Sequence, residues 1–221
     1  MGYEVKGIIF DMDNTLLQSR IDFGAMKREI YSYLCSYRIL PEGMSMNDHT
    51  TSTIIAEAMK TGLLTDELGF KMWDIAKKHE VQGMIGAKLE EGALELIQQL
   101  HGQLHLAIVT NNAEEAAMTA LQENRIAHYF DLIVGREAMG FLKPAPDGYL
   151  EVLKYFHATS PQEWLSVGDA WVDGKASQDA GVPFIAYRGD IARMHSMGVF
   201  PLAEIQNIHG VLDYLQPPIM K

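Results

Sequence analysis

Two carboxylates stand two residues apart where an apolar run stops: "IIFDMDNT", residues 8–15, carries Asp11 and Asp13. In an extended strand, residues i and i+2 point to the same side, so both acids can face one pocket. Like charges this close resist ionising together unless a cation or distinct hydrogen-bond surroundings separate them. Such a division suits a reaction in which one carboxylate attacks and the other carries a proton. A second acidic pair, Asp169 and Asp173, lies in "SVGDAWVDGKASQDAG" at the end of another strand-like run. A hard dication such as Mg²⁺ takes oxygen ligands and keeps several waters, so one or two protein carboxylates and a substrate phosphate suffice to hold it. Asp11, Asp169 and Asp173 are candidate ligands from neighbouring strand ends, although Asp169 or Asp173 would serve equally as a cap for the helix that follows.

Two further strand ends fit the same chemistry. "AIVTNN" puts Thr110 at a strand tip, where its hydroxyl and the backbone N–H of Asn111 can grip a phosphoryl oxygen at a helix N-terminus. Thr and Asn are also ordinary N-cap residues. In "GFLKPAPDGYLEVLKYF", Lys143 precedes Pro144, which restricts the lysine backbone and makes it suited to deliver fixed positive charge. That charge would steady both an attacking carboxylate and a phosphate.

These residues require strands to aim them. Val5–Phe10 is a short apolar run of the kind expected for a parallel strand covered on both faces. Similar runs recur at 104–110, 131–135, 163–169 and 182–187, with helix-like segments at 90–101, 113–124, 146–157 and 171–180. The alternation predicts an α/β fold with a doubly wound, Rossmann-like parallel sheet, whose ligands bind beyond the carboxyl ends of the strands. From about Ser19 to Glu90 no strand is evident, and the amphipathic segments "FGAMKREIYSYLCSYRIL", "TSTIIAEAMKTGLL" and "TDELGFKMWDIAKKHEVQGM" predict an inserted all-helical unit. The expected division is a core of residues 1–18 and 91–221 and a helical insert of residues 19–90. Six methionines, Met26, Met44, Met46, Met59, Met72 and Met84, fall in the insert, as filler for an irregular core or as an adaptable surface. Trp73 is expected on a helix face with Phe70 and Lys77, packed between helices. Beyond Tyr187, "RGDIARMHSMGVF" and "IQNIHGVLDYLQP" read as helical, with Val211, Leu212 and Leu215 packing on the edge of the sheet.

Composition bounds the partners. The chain has 221 residues, 48% hydrophobic and 21% charged, with 18 Lys and Arg against 29 Asp and Glu, a formal charge of −11. That balance argues against a broad footprint for nucleic acid or an anionic membrane, so an anionic small molecule would need local positive charge. Cys35 is the single cysteine and has no partner for an internal disulfide. No apolar stretch reaches the roughly 20 residues needed to span a bilayer, and the start "MGYEVKGIIF" is too short in apolar residues for a secretory signal. A cytoplasmic setting is the expectation, with the oligomeric state open.

Four separated motifs, "FDMDNTLL", "IVTNN", "LKPAPDGY" and "VGDAWVDGKASQDAG", occur in this order and resemble the haloacid dehalogenase-like superfamily, in the phosphatase branch shared by phosphoglycolate phosphatases and β-phosphoglucomutases. The resemblance implies a nucleophilic Asp11, a general acid and base at Asp13, phosphate binding by Thr110 and Lys143, and a Mg²⁺ shell of Asp11, Asp169 and Asp173 with the backbone carbonyl of Asp13. It implies that the insert is a cap that reads the leaving group, with Arg20, Arg28, His49, Thr50 and Lys60 among its polar candidates. Because branches that cleave carbon–halogen or carbon–phosphorus bonds lack an acid two positions after the nucleophile, Asp13 favours phosphoryl transfer. Two residues depart from the family pattern: Asn14 stands where glycine is common, and Ala170 with Trp171 where a hydroxyl residue is common. The expected function is a Mg²⁺-dependent phosphatase acting on a small phosphorylated metabolite. The alternatives are a phosphosugar mutase, for which the insert lacks an evident arginine-bearing, glycine-rich loop, and a non-catalytic phosphate-binding regulator.

Overall fold

The structure is a computed structural model describing residues 4–157 and 159–215. The chain divides into two compact units, one holding residues up to Ser19 and from Ala87 onward, the other Arg20–Gly86.

The first unit is built on six parallel strands. In chain order these are β1 (Gly7–Phe10), β4 (His105–Val109), β5 (Leu132–Val134), β6 (Trp164–Gly168), β7 (Phe184–Tyr187) and β8 (Ala203–Ile205), arranged as β5-β4-β1-β6-β7-β8. All are parallel to their neighbours. Ile8, Ile9 and Phe10 of β1 and Leu106–Val109 of β4 are buried, as a sheet covered on both faces demands. Burial of each such aliphatic or aromatic side chain contributes roughly 1.5–3 kcal/mol. Helices α4 (Ala93–Leu100), α5 (Glu114–Glu123), α6 (Asp147–Tyr155), α7 (Trp171–Asp179) and α8 (Ile191–Ser196) alternate with the strands. Helix α6 packs on β4 and β5, and α7 on β6 and β7. Tyr149 of α6 and Trp164 of β6 are fully buried in the core between them, and the Tyr149 hydroxyl meets Ser166 Oγ at 2.9 Å. From β1 the chain winds outward through β4 to β5, then crosses back to β6 and winds the other way. The switch point therefore falls between β1 and β6, and a crevice opens beyond their carboxyl ends.

Three strand assignments depart from expectation. A two-stranded antiparallel sheet joins β2 (Leu17–Gln18) to β3 (Lys88–Leu89), so a strand does occur within the stretch read as helical. Two residues are too few to display a period. The tail beyond Tyr187 is not two helices: it forms the short α8, the edge strand β8 and a 3₁₀ turn at Ile208–Tyr214. Val211 is buried while Leu212 and Leu215 are half-buried. Gln216 and Pro217, the end of the second expected helix, lie outside the described residues.

The second unit contains α1 (Phe23–Ser36), α2 (Thr51–Lys60) and α3 (Asp66–Met84), with α1 packed on both others. Met26, Ile30 and Leu34 of α1 form a buried stripe at four-residue spacing. Ile54, Ile55 and Ala58 of α2 and Met72 and Ala76 of α3 are also buried. Each helix starts on a side-chain cap: Asp22 accepts from Ala25 N at 2.7 Å, Thr50 from Thr53 N at 3.2 Å and Thr65 from Leu68 N at 3.4 Å. Met26, Met72 and Met84 are buried as core filler. Trp73 is half-buried, whereas Phe70 is 74% exposed, because the buried stripe of α3 runs through Gly69, Met72, Ala76, Glu80 and Gly83 instead. Among the described residues, no helix is long and apolar enough to cross a membrane.

Candidate active site

Asp11 directly follows β1 and its N–H donates to Val167 O of β6 at 2.9 Å, which ties the acid to the strand on the far side of the switch point. Asp169 directly follows β6. Asp173 comes from the first turn of α7, where its Oδ2 accepts the Ala170 N–H at 3.0 Å. This helix turn can press so closely on β6 because residue 168 is glycine: a Cβ there would lie 2.7 Å from Asp173 Cβ and 2.8 Å from its Oδ2. Carboxylate oxygens of Asp11, Asp169 and Asp173 all lie within 4.8 Å of one another. Asp11 and Asp173 are buried and Asp169 is half-buried.

Lys143 enters from the loop between β5 and α6. Its ammonium donates to Asp11 Oδ1 at 2.6 Å and to Val109 O at 2.8 Å, and pairs with Asp173 Oδ1 at 2.7 Å. Two hydrogen bonds and a second carboxylate in ion-pair contact surround the ammonium, which lets a lysine only 2% exposed remain charged. Its backbone is clamped by Asn111, whose Oδ1 accepts Lys143 N at 2.9 Å and whose Nδ2 donates to Lys143 O at 3.1 Å. The peptide from Lys143 to Pro144 is cis.

Asp13 lies three residues past β1, in a tight turn that leads into β2. Asn14 N donates to Leu17 O at 2.7 Å, and Leu16 and Leu17 N–H groups both reach Met12 O. Asn14 sits at φ 56°, a left-handed geometry that asparagine adopts more readily than most residues and that accounts for its presence at a position often given to glycine. Asn112 Nδ2 donates to Asp13 Oδ2 at 2.5 Å.

Charge is crowded here. Burial holds the Asp11 carboxyl well above its ordinary range; Lys143 pulls it down, and Asp173, Asp169 and Asp13 push it further up. Asp169 is pushed up to about 7, first by burial and then by Asp173, with Lys143 opposing. Burial lowers Lys143, but Asp11 and Asp173 more than offset this and hold it above the usual lysine range. A single ammonium faces three clustered carboxylates with Asp13 nearby, and a compact dication among these hard oxygen donors would relieve the remaining repulsion.

The structure thus brings Asp11, Asp169, Asp173 and Lys143 into one cluster, with Asp13 and Thr110 on adjoining loops. Three details differ from expectation. Asp13 is expected among the metal ligands, but its carboxylate is not part of the three-acid cluster. Thr110 and Asn111 do not open a helix, since α5 begins at Glu114 with Ala113 as its cap. The Thr110 hydroxyl accepts Asn112 N at 3.2 Å, and the Asn111 side chain is committed to Lys143. Asn112, the second asparagine of "IVTNN", was not singled out, because a bond to a residue 99 positions away leaves no local pattern. In the helical unit, Thr50 is the α2 cap, His49 O accepts Lys27 Nζ at 2.9 Å, and Lys60 pairs with Glu57 at 2.8 Å.

Residues 8–187 match the sequence model of the haloacid dehalogenase-like hydrolase family. A phosphoglycolate phosphatase of Aquifex aeolicus is 28% identical over 181 residues, covering 80% of this chain and 82% of that protein. A haloacid dehalogenase-superfamily hydrolase of subfamily IA from Geobacter sulfurreducens has the same fold at 22% identity, with a TM-score of 0.61 over 95% of this chain and 98% of that one. A hydrolase of the superfamily from Bacillus subtilis, solved bound to magnesium, aligns at 22% identity and a TM-score of 0.62 over 97% of this chain and all (100%) of that one.

Proposed function

Since the chain belongs to the haloacid dehalogenase-like hydrolases, we propose that it is a Mg²⁺-dependent phosphatase of a small phosphomonoester, working through a phosphorylated Asp11. The observation that carries this reading is Lys143, buried and paired at 2.6 and 2.7 Å with Asp11 and Asp173, beside a three-carboxylate cluster. A fixed cation next to a carboxylate at a strand end suits a nucleophile that must receive a phosphoryl group.

Asp11, Asp169 and Asp173 would hold the metal, with the backbone carbonyl of Asp13. When bound, Mg²⁺ would supply charge neutralisation for the phosphoryl oxygens and for the acids around it. In the first half-reaction a carboxylate oxygen of Asp11 forms a bond to phosphorus as the ester P–O bond breaks. The electron pair leaves with the ester oxygen, which takes a proton from Asp13 and departs as the alcohol. Lys143 and the Thr110 hydroxyl offset charge on the equatorial oxygens. In the second half-reaction water gives a proton to Asp13 as its oxygen bonds to phosphorus, and the bond from Asp11 to phosphorus breaks. Ester and water become alcohol and phosphate, and both aspartates return to their starting states.

Phosphoglycolate is the first substrate to try, given the phosphoglycolate phosphatases among the relatives. The unit Arg20–Gly86 is the proposed reader of the leaving group. The test is phosphate release from phosphoglycolate, hexose phosphates, nucleotides and pyrophosphate, with Mg²⁺ or EDTA. Metal-dependent release is expected, and Asp11→Asn should lower it at least about a thousandfold, as nucleophile removal does in other covalent hydrolases. Unchanged turnover in that variant would rule out Asp11 as the nucleophile. Release from none of the compounds would count against a phosphatase.

A further inference from the structure

Asn112 is buried at 3% exposure and touches the reaction only through another residue. Its Nδ2 lies 2.5 Å from Asp13 Oδ2. Its own backbone is held on both sides: its N–H donates to Thr110 Oγ1 at 3.2 Å, and its carbonyl accepts Arg136 N at 2.9 Å. The amide is therefore presented from a fixed main chain. Asp13 stands on a turn three residues beyond the end of β1, outside the ladder of that strand. We propose that Asn112 is a positioning residue that fixes the plane of the Asp13 carboxyl for proton delivery to the leaving oxygen.

The reasoning is one of hydrogen-bond direction. An amide N–H only donates, so the oxygen it meets, Oδ2, cannot carry a proton along the same line. The proton that Asp13 gives to the ester oxygen then belongs on Oδ1. Fixing Oδ2 also fixes where Oδ1 sits relative to the phosphorus that Asp11 attacks. The turn after β4 thereby serves each partner in sequence: Thr110 presents its hydroxyl, Asn111 clamps the Lys143 backbone at 2.9 and 3.1 Å, and Asn112 holds the acid.

This inference rests on the phosphatase reading above, and leaving-group dependence separates the two. Phenyl phosphate and 4-nitrophenyl phosphate differ by one nitro group, which lets the second phenol leave as a stable anion with little need of a proton. Asn112→Ala removes the donor, and Asn112→Leu removes it while keeping the volume, so one variant remains informative if the other folds poorly. With Mg²⁺ present and the fold intact by circular dichroism, kcat/KM on phenyl phosphate should fall about tenfold or more, part of the usual contribution of a positioned acid, and on 4-nitrophenyl phosphate by less than about threefold. A merely structural role would lower both alike. Equal losses, or no loss on either ester, with an active wild type would overturn the role of Asn112 and leave the phosphatase standing. Wild-type protein that releases phosphate from no ester would overturn both.

Discussion

Asp169 is an acid whose protonation the surroundings set near neutrality. It follows β6 and faces Asp173, and its carboxyl is pushed up to about 7. The sign of the consequence follows directly. A folded value above the ordinary 3.8 means that the metal-free fold holds an extra proton between about pH 4 and 7, so its stability falls as pH rises through that window. A dication entering among Asp11, Asp169 and Asp173 must displace that proton, so its affinity moves the opposite way. Titration calorimetry should show Mg²⁺ binding weakening by up to about tenfold per pH unit below 7 and levelling off above it. The gap in melting temperature between metal-loaded and metal-free protein should widen from pH 5.5 to 7.5. A dissociation constant indifferent to pH would mean that metal binding displaces no proton from Asp169.

At the scale of elements, the turn after β4 carries as much of the site as the strands do. Asn111 bonds the Lys143 backbone through both ends of its amide, 32 positions along the chain. Asn111→Ala removes two hydrogen bonds of about 1 kcal/mol each and frees the lysine loop. Melting should drop accordingly, and turnover should fall about tenfold as the Lys143 ammonium loses its fixed place between Asp11 and Asp173. A variant with lowered melting and unchanged turnover would show that the rest of the loop between β5 and α6 holds Lys143 unaided. Much of this arrangement was legible beforehand. Ile8–Phe10 and Leu106–Val109 are continuous apolar runs because both faces of a central parallel strand are covered, and acids at the ends of such runs are conspicuous. The clamps of Asn111 and Asn112 were not legible, since side-chain bonds across the fold obey no period. Nor were β3 and β8, at two and three residues, which owe their extension to pairing partners, Leu17–Gln18 and β7, rather than to their own sequence.

The whole molecule bears a formal charge of −11, yet the proposed substrate is an anion and the proposed cofactor a cation. Long-range attraction therefore serves the metal, and the phosphate must rely on Lys143 and on the metal once it has arrived. This implies an order: the dication first, the ester second. The long-range part of the attraction is carried by charges spread over the surface, which salt screens with a Debye length of about 10 Å at 0.1 M, whereas the three carboxylates of the cluster act within 4.8 Å of one another and are screened far less. Raising monovalent salt from about 10 to 150 mM should therefore weaken Mg²⁺ binding several-fold without abolishing it. The Michaelis constant for the ester, measured at saturating Mg²⁺, should rise much less, because the field that repels the anion is screened together with the field that draws it in. Fluorescence or calorimetric titration at two salt concentrations measures the first, and phosphate release the second. Metal affinity that ignored salt would assign all of the attraction to the immediate ligands. A Michaelis constant that rose in step with the metal constant would instead point to a positive approach path for the substrate.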